Sequence, residues 1–194
     1  DNPIEAAELA RELDNQNRER QEVEKQILQQ AEEEVAKNFD PSRDAGIVLG
    51  ARGWHPGVLG IVASRISKKY YRPTIIIGFD ESGAGKGSGR SIEDCSIVRA
   101  LTECSGTLEK FGGHEMAAGV NLREENLPRF REQFLEAAAR QLSDDALAPR
   151  LHLDAEIGLA EINFDLLHWH EMLQPFGNGN PQPIFVCSAV EAAR

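Results

Sequence analysis

The sequence predicts an α/β fold, a sheet flanked by helices, and three observations carry that expectation. Two apolar runs, Gly46-Ile47-Val48-Leu49-Gly50-Ala51 and Thr74-Ile75-Ile76-Ile77-Gly78-Phe79, bracket a helical pattern from Pro56 to Tyr70. Continuous β-branched strands of this kind belong in a sheet covered on both faces, and strand, helix, strand makes a βαβ unit. Residues 4–37 hold no Gly or Pro and predict one long helix in front of it.

With 194 residues, 41% hydrophobic and 27% charged, the chain has room for two or three units and falls outside the disordered and fibrous classes. No apolar run approaches the roughly 18 residues that cross a bilayer. The opening Asp1-Asn2-Pro3 has neither the basic flank nor the apolar centre of a signal peptide. The expectation is a cytoplasmic chain with no membrane partner. Cys95, Cys104 and Cys187 are odd in number and lack CxxC spacing, which predicts buried reduced thiols rather than disulfides or zinc.

In the long helix, apolar residues recur at Leu9, Leu13, Val23, Ile27, Ala31 and Val35, but Asn15 to Glu22 carries no apolar stripe. A helix polar all round at its middle bridges bodies through solvent, so residues 1–40 read as an interdomain connector ended by Pro41, with a dimeric coiled coil as the alternative. Residues 41–145 form the α/β domain. After its βαβ unit come a Gly/Ser stretch from Ser82 to Ser91, a helix near Ser96 to Glu103, a Gly-Gly-His turn at 112–114 and an amphipathic helix from Leu127 to Leu142. Composition turns linker-like around Ser143 to Pro149. Residues 146–194 then offer a strand at Leu151 to Ala155, a helix at Glu161 to Leu173 and a strand at Ile184 to Cys187, and are expected to be an incomplete small domain.

A formal net charge of −11 argues against a nucleic-acid partner, but its distribution reverses that. Residues 1–40 hold 12 acids and 5 bases, whereas Arg52 to His114 holds 9 Lys or Arg against 6 Asp or Glu. A basic face is therefore expected on an acidic chain. Three Gly-rich segments lie in that stretch. Gly53-Trp54-His55-Pro56-Gly57 joins a strand to a helix N-terminus, a place suited to an anion. Gly85-Lys86-Gly87-Ser88-Gly89-Arg90-Ser91 puts Lys86, Ser88 and Arg90 on one face if extended, which predicts an edge that grips a phosphate backbone. It lacks the order of a Walker A loop. In Gly112-Gly113-His114-Glu115-Met116-Ala117-Ala118-Gly119 the paired glycines admit close backbone approach, and His114 is expected to open a short helix packed through its small residues.

Together these three segments resemble the DHH-associated domain of the RecJ exonucleases, members of the DHH phosphoesterase superfamily. The long helix is similar to the connector of that family, and Pro175-Phe176-Gly177-Asn178-Gly179-Asn180-Pro181 to the opening of its OB-fold region. The resemblance implies a central mixed sheet flanked by helices, followed by a partial OB-fold-like segment. It also implies a 5′-to-3′ single-stranded-DNA exonuclease of recombination and repair, with single-stranded DNA as partner and Mn2+ or Mg2+ in the full-length enzyme. By motif position, Arg90 and His114 contact the phosphate near the cut, and Lys86, Ser88, Gly112 and Gly113 support them. Trp54 and His55 line or brace the cleft.

The chain departs from the family in having no Asp-His-His run. His168 and His170, two apart on a predicted helix, are poorly placed for one ion. The fragment is thus expected to hold no metal or other cofactor, and to bind without cutting, as a monomer. A short DHH-family oligonucleotide phosphoesterase and a non-catalytic single-strand-binding module are the other readings.

Overall fold

A computed structural model describes residues 2–191. The chain falls into two compact units, Asp1–Ala148 and Pro149–Arg194.

The first unit begins with α1 (Pro3–Asn38), one unbroken helix. Asn2 caps it by accepting the Ile4 N–H at 3.2 Å, and Pro3 stands where no helical N–H is needed. Its first half projects freely, with Ile4, Leu9 and Leu13 exposed. Its second half buries Ile27, Ala31 and Val35. Glu24 lies on the same stripe and is only 5% exposed, held by Arg20 at 3.0 Å and Arg65 at 2.6 Å. Val23, which the apolar pattern placed on the stripe, turns outward because the helical period puts residue 24, not 23, three turns before 35.

β1 (Ile47–Arg52), α2 (Leu59–Tyr70) and β2 (Thr74–Phe79) form the expected βαβ unit, with β1 parallel to β2. A 3-10 turn, Pro56–Val58, leads into α2. β3 (Ala84–Arg90) runs antiparallel to β2, and β4 (Lys110–Gly113) and β5 (Ala117–Arg123) complete a mixed sheet of order β1-β2-β3-β5-β4. α3 (Ile97–Glu103) and α4 (Leu127–Ala139) cover one face, where Ile97, Leu101, Phe130 and Phe134 pack on Ile75, Ile77, Val120 and Leu122. α1 and α2 cover the other, closing Ile27, Ala31, Val62 and Ile66 over Ile47, Leu49 and Ile76. The α/β fold with a mixed, helix-flanked sheet is thus as expected.

The helix expected to open at His114 is instead a β-hairpin. The His114 N–H donates to the Ala117 carbonyl at 2.8 Å, and Ala117–Arg123 pairs along its whole length with β3. Pairing on both sides satisfies the backbone of β5, which a single helical turn could not do. Cys95 and Cys104 are buried free thiols, and Cys187 is a half-buried one.

In the second unit, β6 (Ala155–Glu156) pairs in parallel with β7 (Phe185–Val186), and α5 (Phe164–Met172) is capped by Asn163, which accepts the Leu166 N–H at 2.9 Å. These elements are shorter than the sequence suggests. Asn180 holds the Pro175–Pro181 loop by donating to the carbonyls of Leu173 and Pro175. Leu151, Phe164, Trp169 and Met172 are all more than half exposed.

Candidate functional site

Strand alternation splits β3 into two unlike faces. Gly85, Gly87 and Gly89 point toward α3 and α4, and a side chain at any of them would come within 2.4–2.7 Å of Phe79, Val120, Ile75 or Ile97. These glycines therefore serve close packing of the core. That corrects the expectation of a gripping edge, since β3 lies inside the sheet between β2 and β5. Lys86, Ser88 and Arg90 do share the opposite face, as the alternation predicts. There the Arg90 guanidinium is fixed by donating to Ser88 Oγ at 3.1 Å and to the Gly89 carbonyl at 2.7 Å. It lies against α2 at Gly60, where an added Cβ would stand 2.9 Å from Arg90 Nη2.

Register extends this face across three strands in three rows. Arg90 stands opposite Ala117, whose carbonyl takes the His114 N–H; Ser88 stands opposite Gly119, which faces Gly112; Lys86 stands opposite Asn121, which faces Lys110. The middle row has no side chains beyond the serine. A Cβ at Gly112 would meet nothing within 4 Å, and one at Gly119 only the Gly87 carbonyl at 3.9 Å. The result is an open glycine floor with cationic groups at both ends. Among the described residues, no carboxylate lies within 4 Å of the charged groups of Lys86, Arg90 or Lys110.

The hairpin tip that carries His114 is anchored from behind. The carbonyl of Glu115 accepts the Ile97 N–H at 2.9 Å and that of Met116 accepts the Ser91 N–H at 2.9 Å. His114 itself is exposed, so a fixed backbone presents a free imidazole. Gly113 is obligatory here, because a Cβ would sit 2.3 Å from the Ala117 carbonyl oxygen.

Trp54 is a brace and does not offer its ring to a ligand. It is 4% exposed, packs in the core under α1, and its indole N–H donates to Gln30 at 2.7 Å. His55 is exposed, and its Nδ1 accepts the Gly57 N–H at 3.1 Å, which leaves the Nε2 side of the ring as a donor. It lines a cavity of about 360 Å3 together with Trp54, Pro56, Phe79, Lys86 and Asn121. Asp80, on the same wall, is held below the usual carboxylate range by the Ser82 hydroxyl and then the Ala84 N–H, and stays ionised.

Lys110, Asn121 and Gly60 escaped the sequence reading. Lys110 alone left a signal, since it shares strand parity with Gly112 two residues on. Among the described residues no group of three His, Cys, Asp or Glu side chains is placed to hold a metal ion. His168 and His170 on α5 turn to different rings, Trp169 and Phe176. Chemically, the face on β3, β5 and β4 can hold phosphodiester oxygens by charge-assisted hydrogen bonds over a floor that lets the backbone come close.

The DHHA1 domain matches residues 44–140, half of the chain, and the RecJ OB domain matches residues 153–194. The single-stranded-DNA-specific exonuclease RecJ of Bacillus subtilis (strain 168) is 40% identical over 182 residues, which cover 93% of this chain and 23% of that protein. That of Escherichia coli (strain K12) is 35% identical over 192 residues, 95% of this chain and 33% of that protein. The chain thus spans a third or less of the length of these relatives. RecJ from Thermus thermophilus, solved in complex with Mn2+, superposes with a TM-score of 0.80 at 32% identity, covering 96% of this chain and 27% of that one. Its complex with Mg2+ gives 0.79 at 31% identity, over 95% and 28%. The chain belongs to the DHHA1 domain family, and its DHHA1 match is followed along the chain by a match to the RecJ OB domain.

Proposed function

We propose that this chain is the strand-holding part of a RecJ-type exonuclease that hydrolyses phosphodiesters from a free 5′ end of single-stranded DNA. The observation that carries this reading is the three-row face, with Arg90 and His114 at one end of an open glycine floor and no carboxylate competing for the cations. Arg90, already oriented by Ser88 and Gly89, donates to the phosphate next to the cut, and His114 donates to the same group from the hairpin tip. Ser88 and Lys86 continue the grip along β3. The names of the relatives support the substrate and the reaction.

In this reading the metal chemistry of the longer protein lies outside the strand-holding face, where no three His, Cys, Asp or Glu side chains gather among the described residues. Holding and orienting the strand is what remains for this chain.

The test is made in the longer protein that contains this chain. R90A and H114A each lower release of nucleotides from 5′-phosphorylated single strands by about 100-fold or more, with unchanged thermal unfolding. Wild-type rates in both variants would overturn the assignment. The 194-residue chain alone, given Mn2+, binds single strands and releases no nucleotide, and turnover by it would equally count against the reading.

A further inference from the structure

We propose a second nucleotide subsite at the far end of the same face, with Lys86, Asn121 and Lys110 holding the next phosphate of the strand. Its nucleoside enters the cavity beside Trp54, His55 and Pro56. The inference rests on the strand-holding function and adds a place for a second nucleotide.

Lys86 and Arg90 are four residues apart on one strand, about 13 Å at strand rise. The Arg90 guanidinium is fixed on Ser88 and Gly89 while Lys86 stands two rows away, so a phosphate seated at Arg90 leaves the lysine row for another one. Lys86 and Lys110 flank Asn121 from the two neighbouring strands, about 9–10 Å apart at the backbone. Two flexible ammonium stems can close on an anion between them, and the Asn121 amide adds a donor from below. Lys86 and Lys110 are exposed and neither has a carboxylate partner among the described residues. The glycine row between the two cationic rows leaves space for the intervening sugar and backbone.

The cavity of about 360 Å3 opens directly from this row, because Lys86 and Asn121 belong to its wall. Its other lining is mixed. His55 and Pro56 give exposed ring surface over the buried Trp54, while Asp80 and Glu109 are acceptors that repel a phosphate. The anion therefore sits at the lysine end, and the carboxylates are left to accept from a ring N–H or exocyclic amine of the base.

The test is an amide-resolved NMR titration of the 194-residue chain with thymidine 5′-monophosphate and with 5′-phosphorylated di- and tetrathymidylate. The mononucleotide moves the amides of Arg90 and His114, and the longer ligands also move those of Lys110 and Asn121. K110A leaves the mononucleotide response unchanged, weakens tetranucleotide binding about five- to tenfold, and lowers the slope of log affinity against log salt by about 0.7. A lysine row that stays silent while the arginine row responds overturns the subsite alone, as does a mononucleotide response that K110A abolishes. Silence of both rows toward every ligand removes the strand-holding function, and the subsite with it.

Discussion

Gly112 and Gly113 are neighbours on β4 with opposite surroundings, so alanine at each tests the fold and the interface separately. At position 113 a new Cβ would sit 2.3 Å from the Ala117 carbonyl oxygen and 2.5 Å from the Ala118 Cα, both backbone atoms of the paired strand. The hairpin has to open to admit it. Overpacking of that kind costs about 2–4 kcal/mol, and at about 2–4 °C per kcal/mol for a chain of this size the melting temperature falls by roughly 5–15 °C. At position 112 nothing lies within 4 Å and no positive φ is required. Alanine there is neutral to slightly stabilising, by up to about 1 kcal/mol, because it restricts the unfolded chain. Its methyl group does stand on the glycine floor and lifts a bound strand away from Ser88 and Gly119. Loss of one or two charge-assisted hydrogen bonds is about 1.5–3 kcal/mol, or about 10- to 100-fold in affinity. Thermal unfolding by circular dichroism and binding by fluorescence anisotropy with a labelled oligothymidylate read the two effects. G112A that binds like wild type, or G113A that melts like wild type, refutes this account of the hairpin.

Two further outcomes concern stability. Burial pushes the Cys104 thiol up to about 11 from an ordinary value near 9, so the folded state keeps it neutral where the unfolded chain ionises. Stability from this group is complete below pH 9 and is lost as the pH rises toward 11, by about 3 kcal/mol at most. Melting curves from about pH 8 to 11 should fall less steeply for C104A, and identical slopes would remove Cys104 as the cause. Arg72 is 6% exposed and donates to the carbonyls of Pro41, Asp44, Tyr71 and Leu147, each at 3.0 Å, tying the start of the α/β domain to its end. R72K keeps the charge but not the fork and leaves several buried carbonyls unpaired, for about 3 kcal/mol or more in chemical denaturation. A loss under about 1 kcal/mol would show that the clamp carries little.

The βαβ unit was legible because its strands are apolar on both faces, a property that needs no knowledge of partners. Face assignment in β3 was only half legible. Alternation put Lys86, Ser88 and Arg90 together, but which face the glycines take depends on Phe79, Val120 and Ile97, brought there by three other elements. The hairpin was misread for a related reason. Ala117, Ala118 and Gly119 carry no strand propensity, and their extended form comes from pairing with β3 on one side and β4 on the other. Asn121 and Lys110 join the site only through that register, which sequence spacing does not encode. Glu24 is the same case in a helix: its burial depends on Arg20 and on Arg65 from α2.

The acidity of the chain and its proposed grip on a polyanion are compatible because of where the ion pairs fall. α1 supplies Glu24 to Arg65 and Glu32 to Lys69, so acidic residues of the long helix neutralise cations on α2 rather than on the sheet. Glu124 takes Arg52 and Glu103 takes Arg140, again away from the three rows. A surface pair of this sort adds little to stability, at most about 1 kcal/mol. It does occupy the cation, however. In the proposed grip, the charges left without carboxylate partners on β3 and β4 decide where a phosphate settles, although the chain as a whole carries −11. Net charge therefore weakens long-range attraction to a strand without weakening the contact itself, since charges more than about 10 Å away are screened at ordinary ionic strength.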